Sequence, residues 1–260
     1  MPQGTTRSSA AGAFGRLFAF WALLAAPAAQ PADPCEPPAS LPVVEVRRVV
    51  DGDTLLLTDG ARVRLVGLDA PELGRDGAPD APLAAAARDH LQTLVDLAGG
   101  RVRLRGDARD HYGRTLAVVY SDRHGDLAAH LIRRGLAFVS PVPPNLDGLQ
   151  CHQAAEADAR ARDVGVWSGD AQPASSVSRT GFAVVRGVGG EWRVRRDDRL
   201  LTLDNGLVLR VRASDAHWFE PDGLARYAGA TLEVRGWVHP WRRGRAITVQ
   251  HPAAVEVVGD

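Results

Sequence analysis

The chain has 260 residues, 45% of them hydrophobic and 24% charged, with 27 glycines in no collagen-like period. That composition suits one large or two modest globular domains and excludes a fibrous or wholly disordered protein. Its 31 basic residues, all arginine, are balanced by 31 acids, which excludes a global polycation that grips nucleic acid by charge alone.

At the start of the chain, Arg7 and Arg16 precede an apolar run from Leu17 to Ala26, and Ala26, Ala28 and Ala29 lead into a polar, proline-rich stretch. This is the plan of a signal peptide over residues 1–28 and a leader over 29–41, so a secreted or periplasmic protein is expected. The apolar run is shorter than the roughly 20 residues of a spanning helix, which favours cleavage over a membrane anchor. No later segment is apolar enough to span, so the mature chain is expected without a membrane span. Cys35 and Cys151 remain after cleavage, in a compartment that permits disulfides. Two readings stay open for them: a disulfide, or two unpaired thiols.

Short β-branched runs follow at Val43–Val50, Thr54–Thr58 and Arg62–Leu68, with Asp59-Gly60 at a hairpin position. Leu83, Ala87, Leu91, Leu94, Val95 and Ala98 repeat at helical spacing until Gly99-Gly100, which predicts a helix over 82–98. Strands are expected at Arg101–Arg105 and Thr115–Tyr120, and helices at Leu127–Arg134 and Leu149–Asp163. The fold class is therefore mainly β with α: a small β-barrel with helical packing over 42–168. Residues 169–180 lose apolar periodicity and read as a linker. Beyond them, Phe182–Val188, Trp192–Arg196, Leu200–Leu203, Val208–Ala213, Thr231–Trp237 and Ala246–Gln250 are strand-like, with Asn205-Gly206 at a turn. Residues 181–260 are expected to form a second small barrel.

Three stretches gather acids and arginines where strands end: Val50-Asp51-Gly52-Asp53-Thr54, Arg64 to Glu72, and Asp110-His111-Tyr112-Gly113-Arg114. Taken singly, they read as a turn, a solvated strand end and a loop. Together they offer a chemistry. Asp53 and Asp69 suit one hard divalent cation, since calcium takes carboxylate, carbonyl and water oxygens. Glu72, behind Pro71, suits a water-activating carboxylate near that cation. Arg64 and Arg114 carry planar forks that match phosphate oxygens and the charge that grows on them.

These stretches resemble the staphylococcal nuclease (thermonuclease) family, a five-stranded oligonucleotide/oligosaccharide-binding (OB) barrel with three helices. The resemblance runs through Asp-Gly-Asp-Thr, Arg-Leu-x-Gly-x-Asp-Ala-Pro-Glu and Asp-x-Tyr-Gly-Arg to Gly165-Val166-Trp167, about half the chain. It implies calcium ligation by Asp53, Asp69 and the Ala70 carbonyl, Glu72 as general base or water-orienting group, and Arg64 and Arg114 as phosphate ligands. Asp51 and Thr54 would support that site, while Tyr112 either contacts substrate or packs the loop that positions Arg114. The sequence departs from the family pattern at His111 and at Phe138-Val139-Ser140-Pro141.

The implied activity is calcium-dependent hydrolysis of DNA and RNA with little sequence specificity, single strands favoured, by a monomer with no stable protein partner. The rival expectation is a binding module of the same fold, for nucleic acid or an envelope polymer, that has lost catalysis. Between Leu41 and Asp170 stand sixteen arginines and nineteen acids, so metal-dependent rather than charge-driven binding is expected there.

Residues 181–260 resemble, more loosely, an OB-like C-terminal module found behind some nuclease domains. Trp237 to Arg245 interleaves aromatic rings and arginines. It reads either as a single-strand stacking surface or as a solvated hairpin tip with Trp237 in the core.

Overall fold

The computed structural model describes residues 35–38, 40–74, 76–169, 172–173, 180–242 and 244–259. The signal-peptide segment and most of the leader and linker lie outside these residues. Among the described residues no helix is long and apolar enough to cross a membrane.

Period-two alternation in the first β-runs turns Val49, Leu55, Val63, Leu65 and, further on, Val102 and Val119 toward one interior. Strand β1 (Val43–Asp51) is shared between two neighbours. Its first residues lie antiparallel to β5 (Arg101–Arg105), Val43 opposite Arg103, and its remainder lies antiparallel to β2 (Thr54–Leu57). β2 pairs with β3 (Arg62–Leu65), and β3 runs parallel to β6 (Thr115–Ser121), which returns antiparallel to β5. The circuit closes a five-stranded barrel, as expected.

The expected strand 62–68 is not continuous. β3 stops at Leu65, and β4 (Gly67–Asp69) leaves the barrel to pair with β8 (Phe138–Ser140), Asp69 opposite Phe138. Gly67 explains the break: its φ is 82°, and a Cβ there would collide with the His152 imidazole. Helix α1 (Ala84–Leu97) buries Ala87, Leu91, Leu94 and Val95 over the barrel. It begins two residues later than its apolar spacing predicts, because Leu83 takes a left-handed φ of 70°.

A short strand β7 (Gly125–Asp126) leads into α2 (Leu127–Arg133), capped by Asp126, whose carboxylate accepts the Ala128 and Ala129 N–H groups at 2.8 and 3.3 Å. The other oxygen of Asp126 lies 2.8 Å from His152 Nε2 on α3 (Leu149–Ala161), tying the two helices together in a buried polar pair. Cys35 and Cys151 are joined by a disulfide that holds the segment before β1 against α3.

The second region repeats the first barrel's path. After β9 (Gln172–Pro173), β10 (Gly181–Val188) runs antiparallel to β14 (Thr231–Trp241), Phe182 opposite Trp237. The chain then passes through Gly189-Gly190 into β11 (Trp192–Arg195), which pairs instead with β12 (Asp198–Thr202). Backbone bonds mark the handover: Gly189 N–H donates to Ala230, and Gly190 N–H to Thr202. β12 pairs with β13 (Val208–Val211), β13 runs parallel to β15 (Gly244–Thr248), and β15 returns antiparallel to β14. The consecutive strands β10 and β11 together take the place that β1 alone takes in the first barrel, between the second and fourth strands, and again the third is parallel to the fifth. Where the first barrel carries α1, the second has only 3-10 turns at Ala213–Phe219 and Ala225–Tyr227. A last strand, β16 (Val255–Val257), lies beside β14, and β9 places two residues of the expected linker parallel to β10. The interior holds Leu201, Leu209, Phe219, Leu224, Leu232 and Ile247, each worth about 1.5–3 kcal/mol when fully buried.

Trp237 is not part of that core. Leu232, Val234 and Val238 point inward along β14, so Glu233, Arg235 and Trp237 occupy its outer face, and Trp237 is 50% exposed. The hairpin itself is present, with Trp241 of β14 opposite Gly244 of β15, but its tip lies beyond Trp237 rather than at it.

Candidate active site

The turn between β1 and β2 carries the first carboxylates. Gly52 is pressed so closely onto Ala70 and α1 that an added Cβ would lie 2.6 Å from the Ala70 Cβ and 2.8 Å from the Ala87 Cβ. This packing sinks Asp53. Its carboxylate accepts the Thr54 hydroxyl at 3.0 Å and the Ala70 N–H at 3.3 Å, while its own N–H donates to Asp51 Oδ1 at 3.2 Å. Asp51, Asp53 and Thr54 are all buried.

Arg64 stands opposite Thr54 in the β2–β3 pairing, and its guanidinium reaches between two acids. One nitrogen forms an ion pair with Asp53 Oδ2; the other lies 3.2 Å from Asp69 Oδ1 and 3.5 Å from the Leu68 carbonyl. Asp69 is in place because β4 has left the barrel. The Asp53 carboxyl is pushed up to about 7, chiefly by burial, with Arg64 pulling it down and Asp51 and Asp69 pushing it up. Burial likewise lifts Asp69 to about 6, opposed by Arg64 and reinforced by Glu72 and Asp51. One guanidinium is too little positive charge for this group of acids.

Arg114 comes from a loop built by Asp110. That carboxylate accepts the Tyr112 and Arg114 N–H groups at 3.0 and 2.9 Å and the Arg114 Nε–H at 2.7 Å. Arg114 sits half-buried at the start of β6, and β6 lies beside β3, so the two arginines reach the site from neighbouring strands. Tyr112 is 74% exposed, with its ring against His111 at 3.7 Å and 5.4 Å from the Arg114 guanidinium. The segment after Glu72 arches back, the Ala81 N–H donating to the Glu72 carbonyl at 2.9 Å.

These residues meet in one cleft of about 1170 Å³, whose walls include Asp51, Thr54, Arg64, Asp69, Glu72, Tyr112 and Arg114. Asp53 lies beneath Arg64 rather than on the wall, and Ala70 faces an adjoining groove. Arg62 and His111 add to the cleft, as do Trp237 and Gln250 from the second barrel. Asp110, which organises the Arg114 loop, had a sequence signal in its spacing to Tyr-Gly-Arg. The signal at Trp237 was its alternation against Leu232, Val234 and Val238.

Among the described residues no three acids, histidines or cysteines converge as a finished cation cage. Arg64 bridges Asp53 and Asp69 instead. The donor chemistry nonetheless fits a hard divalent cation: two buried carboxylates, both raised by burial and by neighbouring acids, with the Ala70 backbone adjacent.

Comparison with known proteins agrees with this geometry. The family described as staphylococcal nuclease homologue matches residues 62–169, a span that includes Arg64, Asp69, Glu72 and Arg114. The chain is 37% identical over 129 residues to a thermonuclease of Staphylococcus intermedius, covering 47% of this chain and 74% of that protein. It is 34% identical over 137 residues to an uncharacterized endonuclease of Escherichia coli, covering 49% of this chain and 78% of the other. A probable endonuclease of Verticillium alfalfae is 32% identical over 129 residues, but the match spans only 44% of that protein.

Proposed function

Because the chain belongs to the staphylococcal nuclease family, we propose that it is an exported, calcium-dependent nuclease that hydrolyses DNA and RNA phosphodiesters with little sequence specificity. The observation that carries this reading is the convergence of Arg64, Asp69, Glu72 and Arg114, from separate segments, on one cleft. Binding alone would not call for a pair of buried carboxylates, a further carboxylate and two guanidinium forks together.

The division of labour follows from the chemistry of the groups. Asp53, Asp69 and the Ala70 carbonyl would hold the cation, with Asp51 and Thr54 fixing the turn that carries Asp53. Bound calcium would neutralise these acids and polarise a phosphoryl oxygen. Arg64 and Arg114 offer forks to the phosphate oxygens and to the charge that builds there. Arg64 already bridges two carboxylates, so turning its fork to a phosphate requires another positive charge at those acids. Glu72 takes a proton from the attacking water, which supplies the nucleophile for in-line displacement. Tyr112, exposed beside Arg114, contacts the substrate strand.

Export is supported by the Cys35–Cys151 disulfide, since such bonds persist in oxidising compartments. A net charge of zero suits substrate binding that depends on the metal rather than on bulk charge. The test is Glu72→Gln. Turnover of single-stranded DNA should fall by orders of magnitude while affinity for a non-hydrolysable dinucleotide changes less than about threefold. Unchanged turnover would remove Glu72 from the mechanism.

A further inference from the structure

On the outer face of β14, Glu233, Arg235 and Trp237 form a single row, spaced two residues apart. The first two are charged yet only 2% and 4% exposed, because the first barrel covers them. Arg160 of α3 pairs with Glu233, and Arg235 pairs with Glu156 of α3 and lies 3.3 Å from Glu256. The Arg160 guanidinium also lies over the Trp167 ring, 3.8 Å from its centre. Glu156 accepts the Val139 N–H at 2.9 Å, on the strand that pairs with Asp69. The row is therefore tied, through β8, to the strand β4 that carries Asp69 of the candidate site.

Trp237 comes next in the row, at the point where the first barrel no longer covers it. Trp237 borders two cavities at once. One is the arginine-lined cleft with Arg64, Glu72 and Arg114. The other is a groove of about 920 Å³ whose walls include Phe138, Phe182, Pro82 and Ala70. Asp69 and Glu72 also border both, so the groove is continuous with the place where a phosphate would be held. A half-exposed tryptophan at the junction of a cleft that presents the Arg64 and Arg114 forks and an aromatic groove matches a nucleotide, which joins an anionic phosphate to a flat apolar base.

We infer that Trp237 is the base-binding residue of this site: it stacks the unpaired nucleobase next to the phosphate held by Arg64 and Arg114, with Phe138 and Phe182 lining the groove behind it. The second barrel thus contributes directly to substrate binding. Stacking on an aromatic ring accepts any base, which suits a nuclease of low sequence specificity. A base in a duplex must leave its stack to reach such a ring, so the residue favours single strands. This inference rests on the nuclease reading.

The test uses the full chain with Trp237→Ala and Trp237→Phe, on a single-stranded oligodeoxynucleotide and on an abasic strand of the same length. Wild type should show a KM about tenfold lower for the strand with bases. Trp237→Ala should erase that preference, raising KM more than it lowers kcat, and Trp237→Phe should restore most of it. In parallel, the Glu72→Gln protein in calcium is titrated with a fluorescently labelled oligonucleotide, with and without Trp237→Ala, which should weaken binding about tenfold. If wild type cleaves but Trp237→Ala changes neither KM nor affinity, the stacking role is overturned and the nuclease reading stands. If nothing cleaves yet Trp237→Ala weakens binding, the stacking role stands and the nuclease reading falls.

Discussion

At the scale of single residues, Arg64 matters most, because it touches both acids of the candidate site at once. A lysine keeps the charge but is a point donor that cannot span Asp53 and Asp69 or hold two phosphate oxygens. Arg64→Lys should therefore lower kcat for single-stranded DNA by roughly a hundredfold, the cost of one lost transition-state donor. Equal turnover would reduce Arg64 to a structural role. The residues of this cluster were legible in the sequence because their types are chemically unusual together: acids beside Gly and Pro, with arginine never exchanged for lysine. What the sequence did not disclose was the guanidinium lying between the carboxylates, since that depends on β3 ending at Leu65 and β4 turning away.

At the scale of elements, the candidate site depends on strand β8 and helix α3, neither of which carries a proposed catalytic group. β8 holds β4 and hence Asp69, and Glu156 of α3 bonds both to β8 and to Arg235. Breaking a buried charged pair on one side leaves the partner unpaired in a poorly solvated place. Glu156→Gln should accordingly destabilise the protein by about 3 kcal/mol in urea unfolding. Loss of under about 0.5 kcal/mol, the range of ordinary surface changes, would show that the seam contributes little. Most strands and the three α-helices among the described residues could be read from periodicity, because apolar alternation and helical spacing leave direct traces in the sequence. The short partners β4, β8, β9 and β16 could not. They are two or three residues long and exist only because tertiary pairing stabilises them. The split of the expected strand 62–68 has the same origin, the close packing of Gly67 under the His152 imidazole far along the chain, where any Cβ would collide.

At the scale of the whole molecule, two barrels of the same path are joined by the ionic seam of Arg160, Glu156, Glu233 and Arg235. The repeated path was foreseeable from two successive sets of short strands with hairpin turns. Their juxtaposition was not, because the residues that create it look like ordinary charges on a strand and a helix until the outer face of β14 is seen against α3. It is this arrangement that brings Trp237 to the cleft that Glu72 also lines and makes the cleft a product of both halves of the chain. The central claim is that this cleft hydrolyses nucleic acid with the help of a hard cation. The most direct measurement is digestion of single-stranded DNA by the purified chain in calcium and in chelator, with Glu72→Gln as the control against contaminating activity. The account predicts cleavage in calcium that is abolished by chelator and absent from the variant. Folded protein that leaves the strand intact in calcium and in magnesium would contradict it and leave a binding module of the same fold.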